Sequence, residues 1–145
     1  MISSEEAAKS FVRERCGNPA FDKLDALVPL LIEENEKHNL IARSSVNRIW
    51  LRHIADSAQL LDFVSRETGI WVDLGSGAGF PGLVIAVARP RMTVRLVESR
   101  RLRIDWLRRA VEHLELENCE VHGCDVRSLT SFPVDIITAR AFAPM

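Results

Sequence analysis

Residues 72–82 read Val72-Asp73-Leu74-Gly75-Ser76-Gly77-Ala78-Gly79-Phe80-Pro81-Gly82, an apolar run that ends in a carboxylate and passes through a glycine cluster into a second apolar run. The pattern predicts strand, tight loop and helix start. Gly75, Gly77 and Gly79 permit positive φ and lack the β-carbons that would hold a ligand away from the backbone, while Pro81 suits a first helical turn. Such a loop cradles an adenosine-containing cofactor.

The flanking sequence repeats this alternation. Ile70–Leu74 reads as a buried strand, followed by a helix from about Pro81 to Arg89 that Pro90 stops. Thr93–Glu98 reads as a second strand and Arg101–Leu114 as a second helix, with Leu102, Trp106, Leu107, Ala110, Val111 and Leu114 apolar. Cys119–His122 and Val134–Ala139 supply two more strands. Strands alternating with helices at this spacing imply a parallel sheet with right-handed crossovers. The expected fold is therefore α/β, a Rossmann-like, doubly wound sheet of about four strands. Ligands of such sheets lie beyond the carboxyl ends of the strands, near the topological switch point.

Before Gly69 the period is helical. Ser3 and Glu6 have capping-box spacing ahead of Ala7, Ala8, Phe11 and Val12, and this first helix is expected to end near Gly17. Asn18-Pro19 opens a second, with Phe21, Leu24, Leu27, Val28, Leu31 and Ile32 on one face and Pro29 expected to bend or divide it. A third helical stretch follows Ser44 and Ser45, turning Ile49, Trp50, Ile54, Ala58, Leu60 and Leu61 inward. Residues 1–68 are thus expected to form a helical cap and residues 69–145 a partial sheet core, in one structural unit.

The composition bounds the function. The chain has 145 residues, 47% of them hydrophobic, and a formal charge of −1. That suits one hydrophobic core and argues against a protein held to nucleic acid by bulk charge. A local basic stretch does exist, with Arg89, Arg91, Arg95, Arg100, Arg101, Arg103, Arg108 and Arg109 following the glycine loop. Cys16, Cys119 and Cys124 lack metal-site spacing and are odd in number, so neither a zinc site nor a disulfide framework is expected. The acidic start and short apolar runs point to a soluble, cytoplasmic protein without a membrane span.

Two cofactor classes compete for the loop. Gly77-Ala78-Gly79-Phe80-Pro81-Gly82 matches the dinucleotide fingerprint G-x-G-x-x-G, with Glu98 about twenty residues on. Against it, Asp73 would repel a pyrophosphate and Pro81 removes a donor amide. S-adenosylmethionine presents no phosphate there, and its ammonium group is cationic. Asp73, Gly75, Gly77, Gly79 and Glu98 are therefore read as its site, with Glu98 accepting the ribose hydroxyls. The alternative for Glu98 is an ion pair with neighbouring arginines. Asp125 is placed to accept from the adenine amino group and Val126 to offer an amide, although Asp125 also suits a helix N-cap.

With those residues placed, the chain resembles the bacterial small-subunit ribosomal RNA guanine-N7 methyltransferases, the glucose-inhibited division protein B family. The likeness rests on Asn35-Glu36-Lys37-His38-Asn39-Leu40, Arg52-His53-Ile54-Ala55-Asp56-Ser57, the glycine loop with its Gly79-Phe80-Pro81-Gly82, Glu98-Ser99, and Ala139-Arg140-Ala141. It implies cofactor contacts at Gly75, Phe80, Asp125, Val126 and Arg140. The chain departs from the family pattern at Glu34, where a tryptophan is usual, at Leu102-Arg103, where a basic pair is usual, and at Cys124-Asp125-Val126. The family pattern continues past residue 145 to a Lys-Gly motif, so a C-terminally truncated product is expected.

The resemblance implies transfer of a sulfonium methyl to N7 of a guanine in 16S ribosomal RNA, free or in the small ribosomal subunit, by a chain expected to be monomeric. N7 has a free lone pair and no proton, so no general base and no metal are expected, and rate comes from alignment and dry-site electrostatics. Arg140 is the candidate at the methyl end, donating to the cofactor or bidentately to guanine O6 and N7; its alternative is an ion pair with Asp56. His53, Asp56 and Ser57 lie on one helical stretch, either shaping the substrate mouth or forming a hydrogen-bonded cluster that fastens the cap. A methyltransferase of another substrate class and a non-catalytic cofactor- or RNA-binding module are the competing readings.

Overall fold

The computed structural model describes residues 2–129 and 133–139. In chain order the elements are α1 (Glu5–Cys16), α2 (Asn18–Lys37), a 3-10 turn (Arg43–Arg48), a π-turn (Trp50–Ile54), α3 (Ala55–Ala58), a second 3-10 turn (Gln59–Phe63), β1 (Gly69–Leu74), α4 (Gly82–Ala88), β2 (Met92–Glu98), α5 (Arg101–His113), β3 (Cys119–Gly123), a 3-10 turn (Val126–Ser128) and β4 (Ile136–Ala139). The four strands are parallel, in the order β3-β2-β1-β4.

That order places the reversal of winding between β1 and β4. Register aligns Leu74 with Val97 and Ala139, and Glu98 with Gly123, so all four carboxyl ends reach one level. The glycine loop leaves β1 at the switch point, where open α/β sheets bind ligands. Trp71, Val72 and Asp73 are buried, which fits a strand paired on both sides.

α4 explains its own sequence. Every residue from Gly82 to Val87 is buried, because the helix lies between β2 on one side and α2 and α3 on the other. An all-apolar helix is what such a sandwiched position requires. One hydrophobic cluster runs from Ala8 and Leu24 of the cap through Ile85 and Leu96 to Leu107 and Cys119. Phe21 stacks on Trp50 at 4.9 Å, and the Arg13 guanidinium lies 4.0 Å over the Phe21 ring.

Three helical expectations need correction. Ser4, not Ser3, caps α1 by accepting from the Ala7 amide at 3.1 Å. The shift turns Glu5 toward the π-turn, where its carboxylate accepts from the amides of Trp50 at 3.2 Å and Leu51 at 2.7 Å. Pro29 does not divide the second helix, since α2 runs unbroken for 20 residues. Pro29 and Asp25, whose carbonyl loses its partner, are both exposed, so water replaces the missing bond. The third stretch is helical throughout but mixes 3-10, π and α geometry, and buries Ile49, Trp50, Ile54, Ala58 and Leu61 while leaving Leu60 half-exposed.

Candidate functional site

The glycine loop is held from within. Gly75 and Ser76 donate their amides to the Val97 carbonyl at 2.8 and 3.0 Å, Gly77 to Glu98 Oε1 at 2.8 Å, and Gly79 to the Ser76 carbonyl at 2.8 Å. The first amide of α4, on Gly82, goes to Asp73 Oδ2 at 3.1 Å. A pyrophosphate needs such amides as donors, and here the protein's own acceptors take them. The dinucleotide reading fails on that point.

The glycines divide by purpose. A β-carbon on Gly82 would collide with Leu96 and Asp73, and one on Gly79 with Leu83, so these two serve helix-to-sheet packing. Gly77 differs. It has φ +59°, and the nearest atom to a β-carbon there would be the Gly75 carbonyl oxygen at 3.9 Å. It borders a cavity of about 330 Å³ lined by the loop residues Gly75, Ser76, Gly77 and Ala78, by the cap segment Leu40–Ala42, and by His53, Phe80 and Arg103. That volume lies in the range of small-ligand sites, roughly 300–1,000 Å³. A glycine loop with open space at Gly77 and five of its amides already bonded fits a nucleoside ligand without a phosphate.

Glu98 is 5% exposed. Its Oε1 accepts from Gly77, and its Oε2 from the amides of Ser99 at 3.1 Å and Arg100 at 3.0 Å. It bonds backbone amides rather than arginines, which removes the ion-pair alternative among the described residues. Of the four acceptor positions of a carboxylate, one on Oε1 remains for a ligand hydroxyl.

Asp73 is fully buried beneath the loop. Besides Gly82, it accepts from Thr138 Oγ1 at 2.9 Å, and Thr138 Oγ1 accepts from Trp71 Nε1 at 3.0 Å. Its carboxylate thus joins β1, β4 and α4, and any effect on a cofactor's ammonium group acts through its field rather than by contact.

Phe80 lies against the cavity, its ring stacked on His53 at 5.2 Å; the Phe80-Pro81 peptide is cis. His53 projects from the π-turn, a geometry frequent at functional sites. Its Nε2 is 2.9 Å from Ser45 Oγ, and Ser45 Oγ donates to the Ala42 carbonyl at 2.8 Å. A hydroxyl has one proton, so Ser45 must accept from His53, which fixes the Nε2–H tautomer. Ser57 is buried and donates to the His53 carbonyl at 2.6 Å, one helical turn away as the spacing predicted. Asp56 is exposed and lines a different groove, with Leu60, Phe63 and Ile137. The Ser57 hydroxyl thus bonds the backbone of its own helical stretch, the His53 ring bonds Ser45 of the cap, and Asp56 lies apart from both.

Asp125 and Val126 follow β3 at the same end of the sheet, where the Cys124 amide bonds the Glu98 carbonyl at 2.9 Å. Neither lines the cavity. Asp125 caps the turn after it, accepting from the Arg127 amide at 2.8 Å and pairing with the Arg127 guanidinium at 3.0 Å. Those bonds hold its carboxyl at about 2, below the usual range. Arg140 lies outside the described residues.

Three features escaped the sequence reading. The wall Leu40–Ala42 has no periodicity to announce it. Trp106, read as a core residue, donates Nε1 to the Ala78 carbonyl at 2.8 Å and so ties α5 to the loop. Arg103 borders the cavity, and its guanidinium makes no hydrogen bond or ion pair with any described residue. Of the other basic residues, Arg89 pairs with Glu67, Arg95 with Glu120, Arg101 with Asp105 and Arg109 with Glu34, which accounts for half of the arginine-rich stretch structurally.

Comparison with known proteins decides the family. The model of the rRNA small subunit methyltransferase G (GidB) family matches residues 20–145. The chain belongs to this family. The family member of Erythrobacter litoralis is 54% identical over 145 residues, which is 100% of this chain and 70% of that protein. That of Novosphingobium aromaticivorans is 50% identical over 149 residues, covering 99% of this chain and 64% of that one. Both are named ribosomal RNA small subunit methyltransferase G. Among solved structures, a mutant of MtNAS in complex with S-adenosylmethionine aligns with TM-score 0.58 at 18% identity, over 98% of this chain and 59% of that one. Coclaurine N-methyltransferase aligns with TM-score 0.54 at 15% identity, over 94% and 51%. These two likenesses establish the Rossmann-like α/β fold of the GidB-family chain.

Proposed function

We propose that the chain transfers the methyl group of S-adenosylmethionine to N7 of a guanine in 16S ribosomal RNA, acting in the cytoplasm as a monomer. The observation that carries the cofactor assignment is the loop itself: the amides of Gly75, Ser76, Gly77, Gly79 and Gly82 are taken by the protein's own acceptors, while Gly77 opens onto a cavity. Family membership carries the substrate.

When bound, the cofactor supplies an electrophilic methyl on a sulfonium. Glu98 would receive a ribose hydroxyl on its remaining acceptor position, Arg103 would pair with the cofactor's carboxylate, and Asp125 and Val126, which follow β3 outside the cavity lining, would hold the adenine. Guanine N7 needs no deprotonation, so His53 acts as a wall and hydrogen-bond donor to Ser45 rather than as a base. Arg140, outside the described residues, would be the donor to the cofactor or the guanine edge. Arg91, Arg100 and Arg108 are exposed and make no ion pair with described residues, and they suit phosphates of the RNA.

Incubation with methyl-labelled S-adenosylmethionine and either naked 16S RNA or small ribosomal subunits tests the reading. Label is expected in RNA, recovered as 7-methylguanosine after digestion. Label confined to protein or small molecules, or in another nucleoside, would contradict it.

A further inference from the structure

The sequence Asn35-Glu36-Lys37-His38-Asn39-Leu40 marks the family, yet none of these residues except Leu40 borders the cavity. What Asn35 does is visible at the end of α2. The segment between Lys37 and Arg43 is neither helix nor strand, so its amides need acceptors from elsewhere. Asn35 Oδ1 accepts from both the Leu40 amide at 2.7 Å and the Ile41 amide at 2.9 Å, using both lone pairs of one carbonyl. At the far end of the same strap, Ser45 donates its amide and its hydroxyl to the Ala42 carbonyl, at 2.9 and 2.8 Å. Leu40 and Ile41 are 8% and 7% exposed, so the strap is pressed inward as well as bonded.

The base of the strap is fixed to the element that holds the opposite wall. Glu34, buried at the end of α2, accepts from Arg109 of α5 at 2.7 Å and lies 2.7 Å from His38 Nε2. α5 also grips the glycine loop, through Trp106 and the Ala78 carbonyl. Both walls of the cavity are thus referred to one helix, and the gap between them depends on how the strap is held.

We propose that Asn35 and Ser45 are positioning residues that clamp the strap Leu40–Ala42 over the glycine loop, setting cofactor affinity without touching the cofactor. The proposal rests on the cavity being the S-adenosylmethionine site. The Asn35 side chain supplies two bonds to this irregular segment and the Ser45 hydroxyl one, so loss of either side chain loosens the wall.

Calorimetric titration of the 145-residue chain with S-adenosylmethionine tests it, using Asn35→Ala, Asn35→Asp and Ser45→Ala. Asn35→Ala is expected to bind about tenfold more weakly, while Asn35→Asp, which keeps the double acceptor, stays within about threefold of the unaltered chain. Ser45→Ala weakens binding in the same direction and serves if Asn35→Ala does not fold. In the unaltered chain, S-adenosylmethionine slows hydrogen exchange at the Leu40 and Ile41 amides. Equal affinity in Asn35→Ala or Ser45→Ala, an Asn35→Asp loss as large as that of Asn35→Ala, or unchanged exchange at those amides overturns the clamp. A cavity that fails to bind S-adenosylmethionine in the unaltered chain overturns the cofactor reading and the clamp together, whereas binding insensitive to these substitutions overturns the clamp alone.

Discussion

Gly77 donates its amide to Glu98 Oε1 at 2.8 Å, joining the middle of the glycine loop to the last residue of β2. One carboxylate therefore fixes the backbone of the loop and keeps an acceptor for the ligand. Glu98→Ala removes both. It is expected to weaken S-adenosylmethionine binding by about 1.5–3 kcal/mol, roughly ten- to hundredfold, and to speed hydrogen exchange at the Gly77 amide. Calorimetry and exchange measured on one sample check the two effects together; unchanged affinity would remove Glu98 from the site.

Thr138 bridges Trp71 and the buried Asp73 carboxylate across β1 and β4. Thr138→Val keeps the shape and deletes the hydroxyl, leaving the indole N–H and one carboxylate oxygen without that partner. A loss of about 1–3 kcal/mol of folding stability is expected. Urea unfolding measures it, and an unshifted midpoint would show that the bridge contributes nothing.

Asp125 titrates at about 2 because the Arg127 side chain, and then the Arg127 amide, bond its charged form. A carboxyl with a lowered folded pKa contributes stability above the ordinary carboxylate range, and the contribution is lost as pH falls toward about 2. NMR titration of the Asp125 carboxyl should show this low midpoint. In Arg127→Ala it should rise toward the usual range, and a midpoint unmoved by that substitution would refute the assignment.

The three thiols differ in burial, Cys119 being buried and Cys16 and Cys124 half-buried. Burial first, then the charges of Asp73 and Glu120, push the Cys119 thiol up to about 12. Burial also raises that of the half-buried Cys16. Thiolate is the reactive form, so iodoacetamide near neutral pH should modify Cys124 well before Cys119. Peptide mass spectrometry gives the order, and early labelling of Cys119 would contradict its burial.

What the sequence revealed was whatever depends on neighbours in the chain. Ile70–Leu74 read as a strand because it is apolar apart from Asp73, Thr93–Glu98 because buried Val94 and Leu96 alternate with half-buried Thr93 and Arg95, and α4 read as a helix between two prolines. Ser4 rather than Ser3 is the cap, and Glu5 beside it bonds amides 45 and 46 residues away, a partner that local spacing cannot show. Apolar periodicity likewise missed that residues 43–63 change from 3-10 to π to α geometry. At the site, Gly77 and Glu98 were legible as residue types in an expected place. Asp73 was legible as an acid at the loop, but its burial against Thr138 is set by the pairing of β1 with β4. Arg103 and the strap held by Asn35 come into view only when the cap is folded over the sheet.

Titration of the chain with S-adenosylmethionine, and separately with NAD, tests the central claim most directly. The five internally bonded loop amides and the open face of Gly77 predict saturable binding of S-adenosylmethionine, lost in Gly77→Val, with no detectable binding of NAD. Binding of NAD, or S-adenosylmethionine binding that survives Gly77→Val undiminished, would contradict it.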